Sequence, residues 1–153
     1  MKHKVLTDKQ PYAWLICAGI KPIENRSWKC PQKYIGERVL IHASGHRGKK
    51  FDISLTDEQM IAAFGSIANK AMNDKFEFGA ILGSVIIADC VQNHPSIWAE
   101  KECWNWVLKD PILFDEPILN VKGKLGFWDI NLYNCERCGK LSQSCFCTEH
   151  SPF

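Results

Sequence analysis

Gly19-Ile20-Lys21-Pro22-Ile23-Glu24-Asn25-Arg26, running on into Ser27-Trp28, places a turn-forming glycine and a lysine ahead of a short segment with two unlike faces. Pro22 has no N–H and disfavours helical geometry at the residue before it, so the chain reads as extended from there. Alternate residues of an extended chain share a face: Glu24, Arg26 and Trp28 fall together, and Ile23, Asn25 and Ser27 fall opposite. With Lys21 just ahead, that face suits a nucleotide. Arginine offers a planar fork to phosphate or a base edge, lysine a point charge, glutamate an acceptor for a base amino group, and tryptophan a stacking surface. A same-face Glu24–Arg26 ion pair is the plainer alternative. Exposed pairs contribute only ~0–1 kcal/mol, which is a weak reason to keep the cluster, so the binding reading is preferred.

Upstream, Gln10 to Ala18 predicts a short helix with Trp14, Leu15, Cys17 and Ala18 inward, stopped by Gly19. Downstream, Glu37 to Ala43 is an apolar strand suited to burial on both faces, followed by the loop Ser44 to Lys50. Thr56 to Met72 repeats Met60, Ile61, Phe64, Ile67, Ala68 and Ala71 at helical spacing, and Thr56 with Gln59 forms a capping box. Phe78 to Val91 is a long β-branched strand in which Gly83 predicts a bulge. Trp98 to Leu108 is a further strand, Pro111, Pro117 and Gly123 break the chain, and Leu125 to Leu132 closes it. Helix, strand, strand, helix, long strand, strand, strand lacks the alternation of a doubly wound parallel sheet. The expected class is α+β: a small mixed β-barrel flanked by helices, spanning residues 1–133, with a Cys-rich tail over 134–153.

The segment G-x-K-x-x-E-x-R at Gly19 to Arg26 resembles the signature of the ASCH domain, the activating-signal-cointegrator homology family. Other segments fit in order: Gln10 to Trp14, Ser27-Trp28, Val39 to Ser44, Gly79 to Gly83 and Gly123 to Trp128. The resemblance covers roughly residues 8–133. It implies a PUA-like barrel, a fold group rich in RNA-binding and modified-base-reading domains, with the signature lining a cleft. In the superfamily's acetylcytidine amidohydrolases a threonine nucleophile stands beside the lysine; Glu24 occupies that place here. The departure argues against an acyl-enzyme route. Lys21 and Glu24 remain the candidate catalytic pair of a different hydrolase, with Glu24 as base and Lys21 at an oxyanion. For that route no second carboxylate is firmly placed, Glu77, Glu100 and Glu102 being loose candidates. His42, which ends an apolar strand, reads as a hydrogen-bonded structural residue rather than a catalyst.

The chain of 153 residues, 46% hydrophobic and 24% charged, has the size and composition of one globular domain. Its longest uncharged runs, such as Phe78 to Ala88, fall well short of the ~20 apolar residues that cross a bilayer, so no membrane partner is expected. Although Lys2 and Lys4 precede an apolar stretch, Asp8, Lys9 and Pro11 interrupt it, which argues against a cleaved leader. Net charge is +2, yet residues 21–50 carry an excess of six positive charges. That segment is a candidate phosphate-facing surface with Ser44 and Arg47 as binding residues, and Lys49 and Lys50 beside them. The expected ligand is RNA, a nucleotide or a nucleoside.

Cys135, Cys138, Cys145 and Cys147 form C-x2-C-x6-C-x-C, with Gly139 permitting a tight turn and His150 as substitute ligand. Four thiols so closely spaced in a chain expected to be cytoplasmic favour structural zinc over disulfides. The tail is also the feature that a protein-interaction module would use to dock a partner. Cys17, Cys30, Cys90 and Cys103 lie in apolar or mixed segments and are read as small hydrophobes.

Overall fold

The computed structural model describes residues 1–45, 54–65, 76–136 and 138–144. Its elements are β1 (Lys2–Asp8), α1 (Tyr12–Cys17), β2 (Ile23–Arg26), a single 3-10 turn at Gln32–Tyr34, β3 (Arg38–Ala43), α2 (Asp57–Phe64), β4 (Ala80–Val91), β5 (Trp104–Ile118), β6 (Phe127–Asn131), β7 (Tyr133–Asn134) and β8 (Leu141–Ser142). Six strands form one sheet in the order β2-β5-β4-β3-β1-β6. All neighbours are antiparallel except β1 and β3, which run parallel with Val5 opposite Leu40 and Asp8 opposite Ala43. The class is α+β, as expected.

The expected barrel is not closed. No ladder joins the edge strands β2 and β6 among the described residues. They meet through side chains instead. Phe127 of β6 stacks on Trp106 at 5.5 Å and meets Trp28, just beyond β2, edge-on at 5.9 Å. Nη2 of Arg26 donates to the Thr7 carbonyl of β1 at 2.8 Å. β2 pairs with β5 over only four residues, and bulky rings fill the seam where a further ladder would lie.

Three strands are absent from the expected order: the β7–β8 pair of the tail and, in the main sheet, β1. β1 lies between β3 and β6, so main-chain pairing on both sides holds it although three of its first residues are polar. The strand expected over Trp98 to Leu108 is displaced: β5 begins only at Trp104 and continues to Ile118, through both Pro111 and Pro117. Its pairing with β2 ends at Val107, so the second half has one free edge, where a residue without an N–H is tolerated. Gly83 does sit in a register shift of the β4–β5 pair. A Cβ there would stand 1.9 Å from the Ile112 carbonyl oxygen, so only glycine lets the two strands approach as they do.

α1 packs Ala13, Ile16 and Cys17 onto a core of Leu6, Val39, Ile41, Leu82, Val85 and Trp106, while Leu15 joins Ile23 and Trp98 in a smaller cluster. The capping oxygen for α1 comes from Gln10, which accepts from the Trp14 amide at 3.0 Å and donates to Glu77 O at 2.9 Å. A second core on the opposite side of the sheet gathers Val5, Leu40, Ile81, Trp128 and Ile130. β3 is buried on both faces, as its apolar run predicts. The capping box of α2 is present, and the helix ends at Gly65 in the left-handed conformation. α2 rests on the Leu15 cluster by Ala63 and Phe64, while Ile61, expected to face inward, is exposed. The rest of the expected helix, to Met72, lies outside the described residues, as do Arg47, Lys49, Lys50, Cys145, Cys147 and His150. Among the described residues no helix is long and apolar enough to cross a membrane.

Candidate functional site: a buried acid-base cluster beneath an aromatic seam

The turn after α1 delivers the signature to the sheet edge. The amides of Ile20 and Lys21 both donate to Leu15 O at 3.0 Å, which ends the helix and points the chain into β2. Glu24 then lies opposite Trp106, and Arg26 opposite Trp104, so the predicted common face is formed and two indoles of β5 join it. Glu24 Oε1 stands 3.4 Å from Arg26 Nε, and the Arg26 guanidinium lies 6.0 Å from the Trp106 ring centre. Trp28 meets that ring edge-on at 4.8 Å and is itself 37% exposed. The Lys21 ammonium donates to the Ile23 carbonyl and sits 5.4 Å over the Tyr12 ring.

Lys21 and Glu24 are both buried, at 5% and 4% exposure. Lys21, Glu24 and Arg26 are thus brought together, with Trp28 as their exposed neighbour. No contact joins Ser44 to these three among the described residues; its amide donates to the backbone carbonyl of Asp8 at 2.8 Å.

The residue that sequence reasoning missed is Asp8, at the end of β1. Its carboxyl lies within hydrogen-bonding reach of Glu24 and corrects the expectation that no second carboxylate stands near. Burial, then the charge of Asp8 and the hydrogen bond with it, hold the Glu24 carboxyl well above the usual carboxylate range, against the pull of Lys21 and Arg26. The heavy-atom geometry leaves Asp8 Oδ2, Glu24 Oε2 and Arg26 Nε buried without hydrogen-bond partners. Two adjacent carboxyls repel when both are charged, which is why Asp8 stands next to burial among the causes that raise Glu24. The only sequence signal for Asp8 is an acid interrupting an apolar stretch.

Other motif residues are structural. Asn25 faces away from the cluster and locks the segment before β5: it donates to Trp98 O at 2.9 Å and accepts from Glu100 N at 3.0 Å and Asn105 Nδ2 at 2.9 Å. His42 is buried, as its structural reading required. Its Nε2 lies 2.7 Å from Val121 O, which can only accept, so that nitrogen carries the hydrogen. Nδ1 then accepts from the Thr7 hydroxyl at 3.2 Å, and that hydroxyl accepts from Trp128 Nε1 at 2.9 Å. Burial lowers the His42 pKa and keeps the ring neutral.

The ASCH domain family matches residues 6–118, which take in the signature, Asp8 and all of the sheet but β6 and the start of β1. The chain belongs to the ASCH domain family. ASCH domains are PUA-like folds, a group generally of RNA binders. A mouse (Mus musculus) protein, Activating signal cointegrator 1, is 26% identical over 152 residues, covering 91% of this chain and 24% of the relative. The chain therefore spans about a quarter of that relative's length.

At the tail of this ASCH domain protein, β7 pairs with β8, and Cys135 and Cys138 lie in the turn between them. Cys135 N donates to Lys140 O at 3.0 Å, Gly139 N donates to Cys135 O at 2.7 Å, and Gly139 has φ +68°.

Proposed function

We propose that the chain binds RNA or a nucleotide through the Lys21–Glu24–Arg26 face, with Trp28 as the stacking surface and Ser44 and Arg47 as further binding residues. The observation that carries this reading is the convergence of Asp8, Glu24 and Arg26 at one buried place, where Glu24 Oε1 lies 3.4 Å from Arg26 Nε and the Asp8 and Glu24 carboxyls adjoin. A buried polar group costs about 1–3 kcal/mol when a hydrogen bond is left unmade, so a ligand that completes the bonds of this cluster is favoured. The carboxyls supply acceptors and Arg26 supplies donors, and a base edge offers donors and acceptors side by side. The test is the absorbance ratio at 260 and 280 nm of freshly purified protein, mass spectrometry of released material, and titration with the four mononucleotides. Expected are co-purified nucleotides and a changed base preference in Glu24→Gln. Unaltered affinity for every mononucleotide in both Lys21→Ala and Glu24→Gln would overturn the proposal.

A second reading, hydrolysis of RNA or of a modified nucleoside such as acetylated cytidine, gains support from the Asp8–Glu24 pair. A carboxyl whose pKa is raised by burial and a neighbouring acid is suited to act as a general acid, and Lys21 stands by for an oxyanion. Product formed by wild type and lost in Glu24→Gln, with binding retained, distinguishes it from the first.

For the tail we propose structural zinc on Cys135, Cys138, Cys145 and Cys147. The tight turn at Gly139 supports the first half of that set, because two thiolates two residues apart need the chain to fold back after the second. Reduced thiols and zinc both suit the cytoplasm, where we place the protein. A partner protein docking through the tail is the remaining proposal for that segment.

A further inference from the structure

The seam between β2 and β6 carries more than the signature. Tyr34, at the end of the 3-10 turn, lies 4.1 Å from Phe127, which in turn contacts Trp28 at 5.9 Å. A single ring therefore separates two aromatic side chains that reach the surface, Trp28 being exposed and Tyr34 half-buried. Lysines accompany both. Lys33 Nζ lies 5.0 Å and Lys4 Nζ 5.7 Å from the Tyr34 ring centre, and Lys29 Nζ lies 5.3 Å from that of Trp104. Lys29 and Lys33 are exposed. Lys4 is tied to Asp129 at 2.5 Å and is the least available of the three. The seam thus presents rings for stacking with cations alongside. That is how a protein holds a single strand without reading its sequence: every base has a π-face, and every linkage a negative charge.

We propose that this seam is a track for single-stranded nucleic acid, with Trp28 and Tyr34 stacking bases and Lys29 and Lys33 contacting phosphates. It rests on the nucleotide-binding reading above and extends it from one base at the buried cluster to a strand lying across the sheet opening. A duplex keeps its bases stacked on each other and cannot use the rings. A bare anionic surface would use the lysines but not Tyr34.

The test is fluorescence anisotropy with labelled eight-nucleotide RNA and DNA of matched sequence, the corresponding duplexes, and mononucleotides. The proteins are wild type, Lys29→Gln with Lys33→Gln, and Tyr34→Leu, which removes the stacking ring but keeps apolar packing on Phe127. Wild type is expected to bind single-stranded octamers more tightly than mononucleotides or duplexes. The lysine pair is expected to flatten the salt dependence by ~0.7 in slope for each phosphate that is no longer neutralised. Tyr34→Leu is expected to weaken octamer binding roughly five-fold or more, within the range of one base stack. Neither variant should change mononucleotide binding. Relative affinity for RNA and DNA tells whether the 2′-hydroxyl is read. Octamers bound no tighter than mononucleotides, equal binding of duplex, or unaltered octamer binding in both variants would each overturn the track. Mononucleotide binding at the cluster is tested separately by Lys21→Ala and Glu24→Gln, so failure of the track and failure of the cluster give different results.

Discussion

The carboxyls of Asp8 and Glu24 meet inside the fold although their strands, β1 and β2, have three others between them in the sheet. Curling of the open sheet brings them together, the same curling that carries Arg26 to the Thr7 carbonyl. Two acids, an arginine and a lysine held there cost stability and are costly to leave unpartnered. Under the proposed function, a bound ligand offsets part of that cost.

Glu24→Gln is expected to stabilise the protein at neutral pH, on the order of 1 kcal/mol, because the amide can donate to Asp8 without taking up a proton on folding. The sign follows from the raised pKa of Glu24 in the fold. Its protonated, folded form is favoured below the unfolded value near 4.5, and that contribution is lost as pH rises toward the folded pKa. The gain in denaturation midpoint of Glu24→Gln should thus be largest above neutrality and shrink below about pH 4.5. A gain independent of pH would assign the effect to packing.

His42 gives the opposite slope. Its folded pKa is depressed by burial, so its contribution is present above the unfolded value of 6.5 and drains away as pH falls below it. His42→Gln should be less stable at pH 7.5 by about 1–3 kcal/mol, having lost the bonds to Val121 and Thr7. It should also show a flatter decline from pH 7 to 5 than wild type. Parallel curves would mean that other groups set the acid limb.

The common face of Glu24, Arg26 and Trp28 is legible in the sequence because alternation along a strand is local geometry, and the α2 cap because Thr56 and Gln59 are three residues apart. β3 is legible from its unbroken apolar run. β1 is not: Lys2 and Lys4 serve Asp129 at the surface and interrupt any alternation, and only pairing with two distant strands makes the segment a strand. β5 reads short because prolines break a strand unless its edge is free, and which edges are free is a property of the whole sheet. Asp8 escapes notice for the same reason. Its partner is distant in sequence, and only the curled sheet brings them together.

Gly83→Ala tests the β4–β5 approach. The added methyl would meet the Ile112 carbonyl oxygen at 1.9 Å, its carbon at 3.0 Å and Cys17 Sγ at 3.1 Å. Overpacking against side chains costs typically ~1–3 kcal/mol, and a clash with backbone in a central strand pair should reach or exceed the top of that range. Thermal denaturation should show it, and Cys17→Ala added to Gly83→Ala should rescue little, since it relieves only the side-chain clash. Full rescue would show that the strands shift freely at this bulge.

The last prediction concerns the tail. Protein purified under reducing conditions should contain about one zinc per chain, because four thiolates close one tetrahedral site. Cys135→Ser with Cys138→Ser should abolish it. Since the sheet draws its two main cores from residues between Val5 and Leu132, with Leu141 only packed against one, the variant should retain the thermal transition of the sheet. Zinc and folding are coupled only where the metal organises a segment that cannot bury its own core, so chelation should act on the tail alone: more susceptible to proteolysis beyond Tyr133, with nucleotide affinity unchanged. Elemental analysis finding no zinc would remove the metal from the account, and a collapse of the main transition on chelation would show that the tail is part of the domain's core.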